Sequence, residues 1–567
     1  MAWIQPLDPC HNVLVSCLVA ILPVAVIFWA LVVRKLKGYQ ASLLATAAAL
    51  LIAVIVYRMP PGLALLSAAN GALYGLFPIC WIVFTAVFLF NTTIRSGQFE
   101  VIRGFMAGIT ADRRIQALLI AFSFGSFLEG TAGFGAPVAI TAAMLTALGF
   151  QPLYAAGLCL IANTAPVAFG SIGIPVTVAA QVTGLPELAI SQIIGRTLPF
   201  LSALLPFYLV ILMAGFKKAR EVAPAALVSG LSFALIQFLS ANYLGPSLPD
   251  VLAGIGSILS LLILLRFWKP RNVWRFPGET ADIRPTKQGP VDIPATGGEP
   301  ATQPTNGDEP QTGRDREAPG RLLWAFSPFL LLTLLIVTWG LAPVKEWLTA
   351  HGTLQFAFPG LHNAIADRNG PVAHIFKFNY FSAAGTAIMV AAILSLTISG
   401  LSAKQGLEVL GATLRQLRFT ILSIAVVLAF AYLMNDSGIT PTIARSLADT
   451  GVLFPFFAPV LGWLGVFITG SDTSSNALFG KLQSATASSI GVDPIVTVGA
   501  NVSGGVIGKM ISPQSIAVAA AAGKLVGRES DLFRFTVKHS LILLFLICCM
   551  VLAQAYLFKW IIPIYKI

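Results

Sequence analysis

Three ionisable residues stand where an apolar chain has least reason to keep them. Glu129 sits in "SFLEGTAGFGAP" (Ser126–Pro137), and between Ile115 and Leu185 it is the only Asp, Glu, Lys, Arg or His. Asp472 sits in "TGSDTSSNALFG", beside Ser471, Thr473, Ser474, Ser475 and Asn476. Lys509 lies between Gly508 and Pro513, far into an apolar run. Charges inside a membrane are costly and usually functional, paired with another group or set on a substrate path. A carboxyl there suits proton transfer, because removal from water favours its neutral form. Hydroxyls and an amide beside free helix N–H groups suit a small anion. Each residue also has a plainer reading: Glu129 as a wet hairpin end, Ser471 and Asp472 as helix caps, Lys509 as a snorkelling side chain. For Lys509 the sequence offers two partners, a substrate carboxylate and Asp472.

The elements that must position these residues are membrane helices. Of the 567 residues 56% are hydrophobic and only 11% charged, against about one quarter charged in a soluble domain. Runs such as Asn12–Val33, Leu322–Leu341 and Ser540–Phe558 approach the roughly 20 residues that cross a bilayer as a helix. The alternating short strands of a membrane barrel are absent. The fold class is therefore an all-α polytopic membrane protein. Twelve crossings are predicted, at 12–33, 41–57, 73–94, 154–179, 193–215, 224–245, 250–266, 322–341, 378–400, 419–435, 494–520 and 539–559. The first reads as a retained span, since it lacks a small-residue cleavage site. Two Gly/Ser-rich stretches, 115–150 and 452–490, are too long for one helix and too broken for two, and are predicted to be re-entrant hairpins with tips at Glu129–Gly135 and Gly470–Asn476 near mid-membrane. Residues 267–320 are rich in Pro, Gly, Thr and charge and read as a disordered cytoplasmic loop. The net charge of +12 fits Lys- and Arg-rich cytoplasmic loops better than nucleic-acid binding. The six cysteines have no metal-ligand spacing and read as small apolar residues.

Two stretches then answer one another. Ala162–Pro175 reads "ANTAPVAFGSIGIP" and Ala500–Pro513 reads "ANVSGGVIGKMISP"; both have Gly seven residues after the Asn and Pro twelve after it. Upstream, Ser96-Gly97 answers Ser437-Gly438, and Glu129-Gly130 falls near Ser471-Asp472, with the offset between 338 and 343 throughout. A near-constant offset across several landmarks marks an internal repeat. The loop charges set its sense. Arg95–Arg114 carries four arginines while Asp436–Val452 has only Arg445; Gly184–Gln192 has no Lys or Arg while Gly523–Lys538 has four. The bias reverses at both places, so the halves are expected to be inverted, as in many secondary transporters. The expected organisation is an N-terminal repeat (1–215), two connecting spans (216–266), the loop (267–320) and an inverted C-terminal repeat (321–567). Asn163 and Asn501 would head the breaks in two crossing helices, binding a ligand or only satisfying freed backbone. Lys481 and Asp493, near a hairpin end, read as solvated.

No P-loop, H-E-x-x-H or G-x-S-x-G is present, and the five histidines are not clustered. That leaves a gradient-driven carrier or an anion channel; an embedded enzyme built on Glu129 and Asp472 would need a nucleophile or metal cluster.

At these residues the chain resembles a known family. "FLEGTAGFGAPVAITAA", "AAGLCLIANTAPVAFG", "GWLGVFITGSDTSSNALF", "GKMISPQSIAVA" and "ESDLFRFTVKHS" closely resemble the bacterial L-lactate permease family, which includes the glycolate permeases, from Pro6 to the last span. The resemblance implies a symporter of the bacterial inner membrane that takes up L-lactate, D-lactate and glycolate with a proton. It also implies paired re-entrant hairpins and elevator-like movement. Sodium coupling stays open beside the proton, and no cofactor or metal is implied. Expected partners are 2-hydroxymonocarboxylates, protons and the bilayer; a monomer and a homodimer are both compatible with the sequence. The candidate substrate-binding residues are Gly130, Thr131, Gly133, Asn163, Ser471, Thr473, Ser474, Ser475, Asn476, Asn501 and Lys509. Glu129 and Asp472 are the candidate proton carriers.

Opposite halves make a direct expectation. A cysteine placed within Asp436–Val452 should react with an impermeant thiol reagent from outside, and one within Arg95–Arg114 only from inside. Labelling of both from one face would remove the inverted repeat.

Overall fold

The computed structural model describes residues 2–276 and 319–565, apart from 35, 134, 368–369 and 526–527. Most of the loop expected at 267–320 therefore lies outside the described residues. Its first stretch is tied down: Trp274 N donates to Asp112 Oδ2 (3.0 Å) and Arg114 donates to the Asn272 carbonyl (2.9 Å).

Backbone polar groups in lipid must be satisfied within the segment, which leaves helices as the spanning elements of such a chain. Among the described residues eleven helices are long and apolar enough to cross a bilayer, or twelve if Pro152–Ala162 and Val167–Thr183, bent by 63°, form one span. The boundaries differ from the sequence expectation in instructive places. The crossing expected at 73–94 is the second part of Pro61–Arg95, interrupted at Gly75–Cys80. The one expected at 419–435 extends back to Ala403, where Ser402 and Gln405 form a capping box in polar sequence that hydropathy does not flag. The apolar helix within 378–400 is only Ala384–Ile398. Between Ala342 and Phe378 the chain also forms short strands, which an all-helical reading did not include: Leu354–Ala357 pairs antiparallel with Ile375–Phe378, and Trp3–Ile4 pairs with Ile365–Asp367.

Two helical hairpins occupy the centre. The first runs through Arg113–Ala117, a wide π turn Leu118–Phe124 and Gly125–Thr131, then returns as Ala136–Ala147. It packs along Pro249–Phe267, where Gly254 faces the Phe127 backbone and where Ser123, Ser229 and Ser257 share hydrogen bonds of 2.8 to 3.3 Å. The second hairpin is Phe454–Thr469 and Asp472–Ser489. Its first arm lies against Pro494–Lys509, with Gly462, Gly504 and Gly508 each facing backbone of the other helix so closely that a Cβ would overlap it. Pro494–Ala522 is buried throughout its apolar window. The same run of elements appears twice. Ser96 and Ser437 each end a helix, Gly97 and Gly438 turn left-handed (φ 79° and 88°), and a short helix, a hairpin and an interrupted helix follow.

Polar clusters fix the two ends of this body. At one, Arg114 is fully buried between Asp112 (2.7 Å) and Glu221 (2.8 Å). At the other, His374 from the strand-bearing loop bonds Asp436 at the end of Ala403–Asp436 (Nε2 to Oδ2, 3.1 Å), and Ser67 donates to the same oxygen (2.5 Å). Burial pulls the His374 imidazole down, but the hydrogen bond and charge of Asp436 offset it, so the net shift is upward. A raised histidine adds stability that is fully present below its unfolded value near pH 6.5 and is lost as pH rises through the higher folded value. His374→Gln should therefore lower the unfolding free energy more at pH 6 than at pH 8, by about 1–3 kcal/mol at the acid end, the cost of stranding a buried partner. Equal losses at both pH values would assign the pair no titrating role.

Candidate functional site

The first hairpin places Glu129 just before its tip. Gly133 (φ 57°) and Gly135 (φ 87°) take left-handed conformations that cost a side-chain-bearing residue, and Ala136-Pro137 restarts the helix. The glutamate turns toward the bend between Pro152–Ala162 and Gly170–Thr183. There a Cβ on Gly170 would meet Glu129 Oε1 at 2.8 Å, so glycine leaves the room that the carboxylate fills. Beyond it Ser171, Ile172 and Gly173 are all left-handed (φ 46°, 60° and 78°). For a β-branched isoleucine this is strain, on the order of 1–3 kcal/mol. The conformation is held from both sides: Ser171 Oγ donates to the Ala132 carbonyl at the hairpin tip (3.1 Å), and Gly173 packs on the Pro246 backbone.

The second half supplies the cation. Pro494–Lys509 ends at Lys509, whose Nζ bonds Glu129 Oε1 at 2.5 Å; the two side chains are 11% and 3% exposed. Lys509 is thus neither snorkelling nor paired with Asp472. Its partner is the carboxylate of the opposite hairpin, a pairing across 380 residues that no local pattern announces. Asp472 follows the N-cap Ser471, whose Oγ accepts from Ser474 N (3.3 Å). The aspartate is buried, packed where a Cβ on Gly505 would stand, and among the described residues neither of its oxygens has a hydrogen-bond partner; Glu129 Oε2 likewise has none there.

Between these groups lies a cavity of about 70 Å³. A water needs on the order of 10–15 Å³ by the same measure, so the space suits a few waters or one small solute. Both hairpin tips line it, through Glu129 and Gly135 and through Gly470, Ser471, Asp472 and Thr473. Lys509 is the only cation among the lining residues. The first residues of two helices, Asp472–Ser489 and Pro513–Ala522, also reach the wall.

Other candidates are brought near but spent elsewhere. Asn501 Nδ2 donates to Asn476 Oδ1 (2.8 Å), Asn476 Nδ2 to the Pro175 carbonyl (3.2 Å), and Gln483 Nε2 to Asn501 Oδ1 (3.2 Å). This amide chain joins the second hairpin to both interrupted helices. Asn501 lies inside Pro494–Lys509 rather than at a break; the interruption comes at Met510–Ser512, because the intervening glycines are held helical by their packing on Phe454–Thr469. Ser475 donates to the Gly462 carbonyl (3.0 Å) and Thr131 to its own helix at Phe127 (3.0 Å). Gly130 and Gly133 shape the tip, and Asn163, buried at the first bend, leaves its Nδ2 unpaired. Asp493 and Lys481 are not solvated ends: Asp493 caps its helix and accepts from Tyr565 (2.6 Å), and Lys481 is half-buried beside the Thr183 carbonyl. The cavity also uses Ser171, Gln514 and Ser515, which were not among the sequence candidates. Ser171 and Gln514 flank the two interruptions, beside the Gly170 and Pro513 that the sequence comparison of the two stretches singles out.

The family described as L-lactate permease matches residues 16–558. The L-lactate permease of Bacillus subtilis (strain 168) is 52% identical over 585 residues, covering 99% of this chain and 100% of that one. The glycolate permease GlcA of Escherichia coli (strain K12) is 49% identical, covering 98% and 99%. Among solved structures, MtrF of Neisseria gonorrhoeae aligns over 87% of this chain and 85% of its own at 12% identity and a TM-score of 0.44. A multi-pass bacterial membrane protein, the chain belongs to the L-lactate permease family.

Proposed function

We propose that this protein is a secondary carrier taking up L-lactate, and with it D-lactate and glycolate, across the cytoplasmic membrane in symport with a proton. The observation that carries the reading is the Lys509–Glu129 pair at 2.5 Å in a cavity that both hairpin tips line. The names of the relatives, L-lactate permease and glycolate permease, support the substrate class.

A 2-hydroxymonocarboxylate brings one negative charge and one hydroxyl. Its carboxylate competes with Glu129 for Lys509 and is helped by the helix N-termini that reach the cavity. Ser171, Thr473 and Gln514 are within the same wall and can meet the hydroxyl. Once Lys509 turns to the substrate, Glu129 is a buried anion without a counter-charge, a state costing several kcal/mol. A proton on Glu129 removes that cost. One anion and one proton then enter together and leave the charge of the cavity unchanged. Asp472, unpaired on the facing tip, is the second carboxyl available to the same proton.

The two hairpins enter from opposite faces in this reading, and the loops that carry Arg95, Arg103, Arg113 and Arg114 and Lys524, Arg528, Arg534 and Lys538 lie in the cytoplasm. In this reading the exposed Pro513, Ala517 and Ala521 lie between the cavity and Lys524, and the cavity opens inward.

Uptake of labelled L-lactate into proteoliposomes, with pH and Na⁺ gradients imposed in turn, tests the whole; accumulation driven only by Na⁺ would replace the proton. Lys509→Gln should raise the half-saturating lactate concentration roughly 10- to 100-fold, the worth of one charge-assisted hydrogen bond, with less effect on maximal rate. An unchanged affinity would confine Lys509 to a structural pairing. Glu129→Gln keeps the shape and removes the titration. Lactate-for-lactate exchange should survive it, while accumulation under a pH gradient should disappear. If that variant still concentrates lactate, Asp472 becomes the proton site to test.

A further inference from the structure

Asp250 is a further buried ionisable group, packed behind this site rather than in it. It opens Pro249–Phe267 yet caps nothing, is 1% exposed, and neither carboxylate oxygen has a hydrogen-bond partner among the described residues. It does not line the cavity. It packs behind it, where a Cβ on Gly130, the residue after Glu129, would meet Asp250 Cβ at 2.9 Å. The charged groups acting on it are Glu129 from the first hairpin and Lys509 from Pro494–Lys509. Ala223–Tyr243 offers the Gln237 amide, already engaged with Ala165 (3.0 Å) and Ser202 (2.9 Å), and beyond it only the outward Tyr243. Leu118–Phe124 and Gly170–Thr183 have no titratable side chain.

Burial of an acid disfavours its charged form, while a helix N-terminus and a nearby ammonium favour the anion, and both features meet at Asp250. A group balanced between the two forms can pass a proton on, and paired intramembrane acids serve as relays in pumps and transporters. Its depth gives the direction. From Asp250 to Arg266, which bears the charge at the inner end, the helix runs about 24 Å at 1.5 Å per residue, most of a hydrocarbon core of roughly 30 Å. Tyr243 and Leu244, just before Asp250, are 75% and 48% exposed. Asp250 therefore stands toward the outer face while the cavity opens inward.

We propose that Asp250 relays the coupled proton between the outer face and Glu129, by a route separate from that of the substrate. As Lys509 Nζ leaves Glu129 for the substrate carboxylate, the O–H bond at Asp250 breaks and a new one forms at Glu129 Oε2. Asp250, now a carboxylate, is reprotonated from water at the outer end of its helix. The net movement is one proton with one anion.

The inference rests on the symport reading, and reconstituted full-length protein separates the two. If the unmodified protein acidifies vesicles containing a pH dye in step with lactate entry, symport stands; if it does not, both ideas fall. In Asp250→Asn, lactate-for-lactate exchange should stay within about twofold of the unmodified protein while lactate-coupled proton entry falls at least tenfold. Normal proton entry in that variant overturns the relay. Should the variant neither insert nor exchange, Asp250→Glu decides: a relay predicts retained proton entry with a displaced pH midpoint, and an unchanged pH profile overturns it.

Discussion

One ammonium-to-carboxylate contact organises the centre of this molecule. Lys509 and Glu129 come from interrupted elements of opposite halves and meet in a space that holds little else of positive charge. Either alone would be an uncompensated charge in a low-dielectric interior, and breaking such a pair costs about 3–5 kcal/mol. In the proposed symport the pair would close the empty site and register an arriving anion. A substrate that took the lysine would leave a glutamate in search of a proton, so coupling would need no separate sensor.

Glycine makes that contact reachable. Gly170 yields its side-chain space to the Glu129 carboxylate and Gly505 to that of Asp472, so each acid lies against a helix of its own half where any larger residue would displace it. The tip glycines turn the chain; these two receive what the turn delivers. The strained Ser171–Gly173 run belongs to the same arrangement, since Ser171 holds the tip whose position fixes Glu129.

Much of this was legible in the sequence, and the parts that were not have a common cause. Composition and run length expose the helical class, and the isolated Glu129 and Asp472 expose the two tips, because lipid makes each polar residue conspicuous. Gly97 and Gly438 both turn left-handed, each after a helix that ends at a serine. What pairs with what was not legible. Lys509 offered two partners on paper and took a third from 380 residues away, while Asn476 and Asn501, which looked free to bind, satisfy each other. Asp250, the first residue of the crossing expected at 250–266, drew no notice in the sequence, because its contact with Gly130 exists only in the packed structure. Side-chain partnerships across long separations are properties of the packed body, and periodicity carries no record of them.

The seam between Phe454–Thr469 and Pro494–Lys509 has a mechanical consequence. Where Gly462, Gly504 and Gly508 let two backbones touch, no side chains are left between them to slide or re-rotamerise, so the two helices behave as one girder. The arm of the second hairpin cannot then swing as a free flap, and Lys509 travels with it. Whatever exposes the cavity to the other face has to carry this girder bodily. Motions of that kind belong to the range of roughly microseconds to milliseconds.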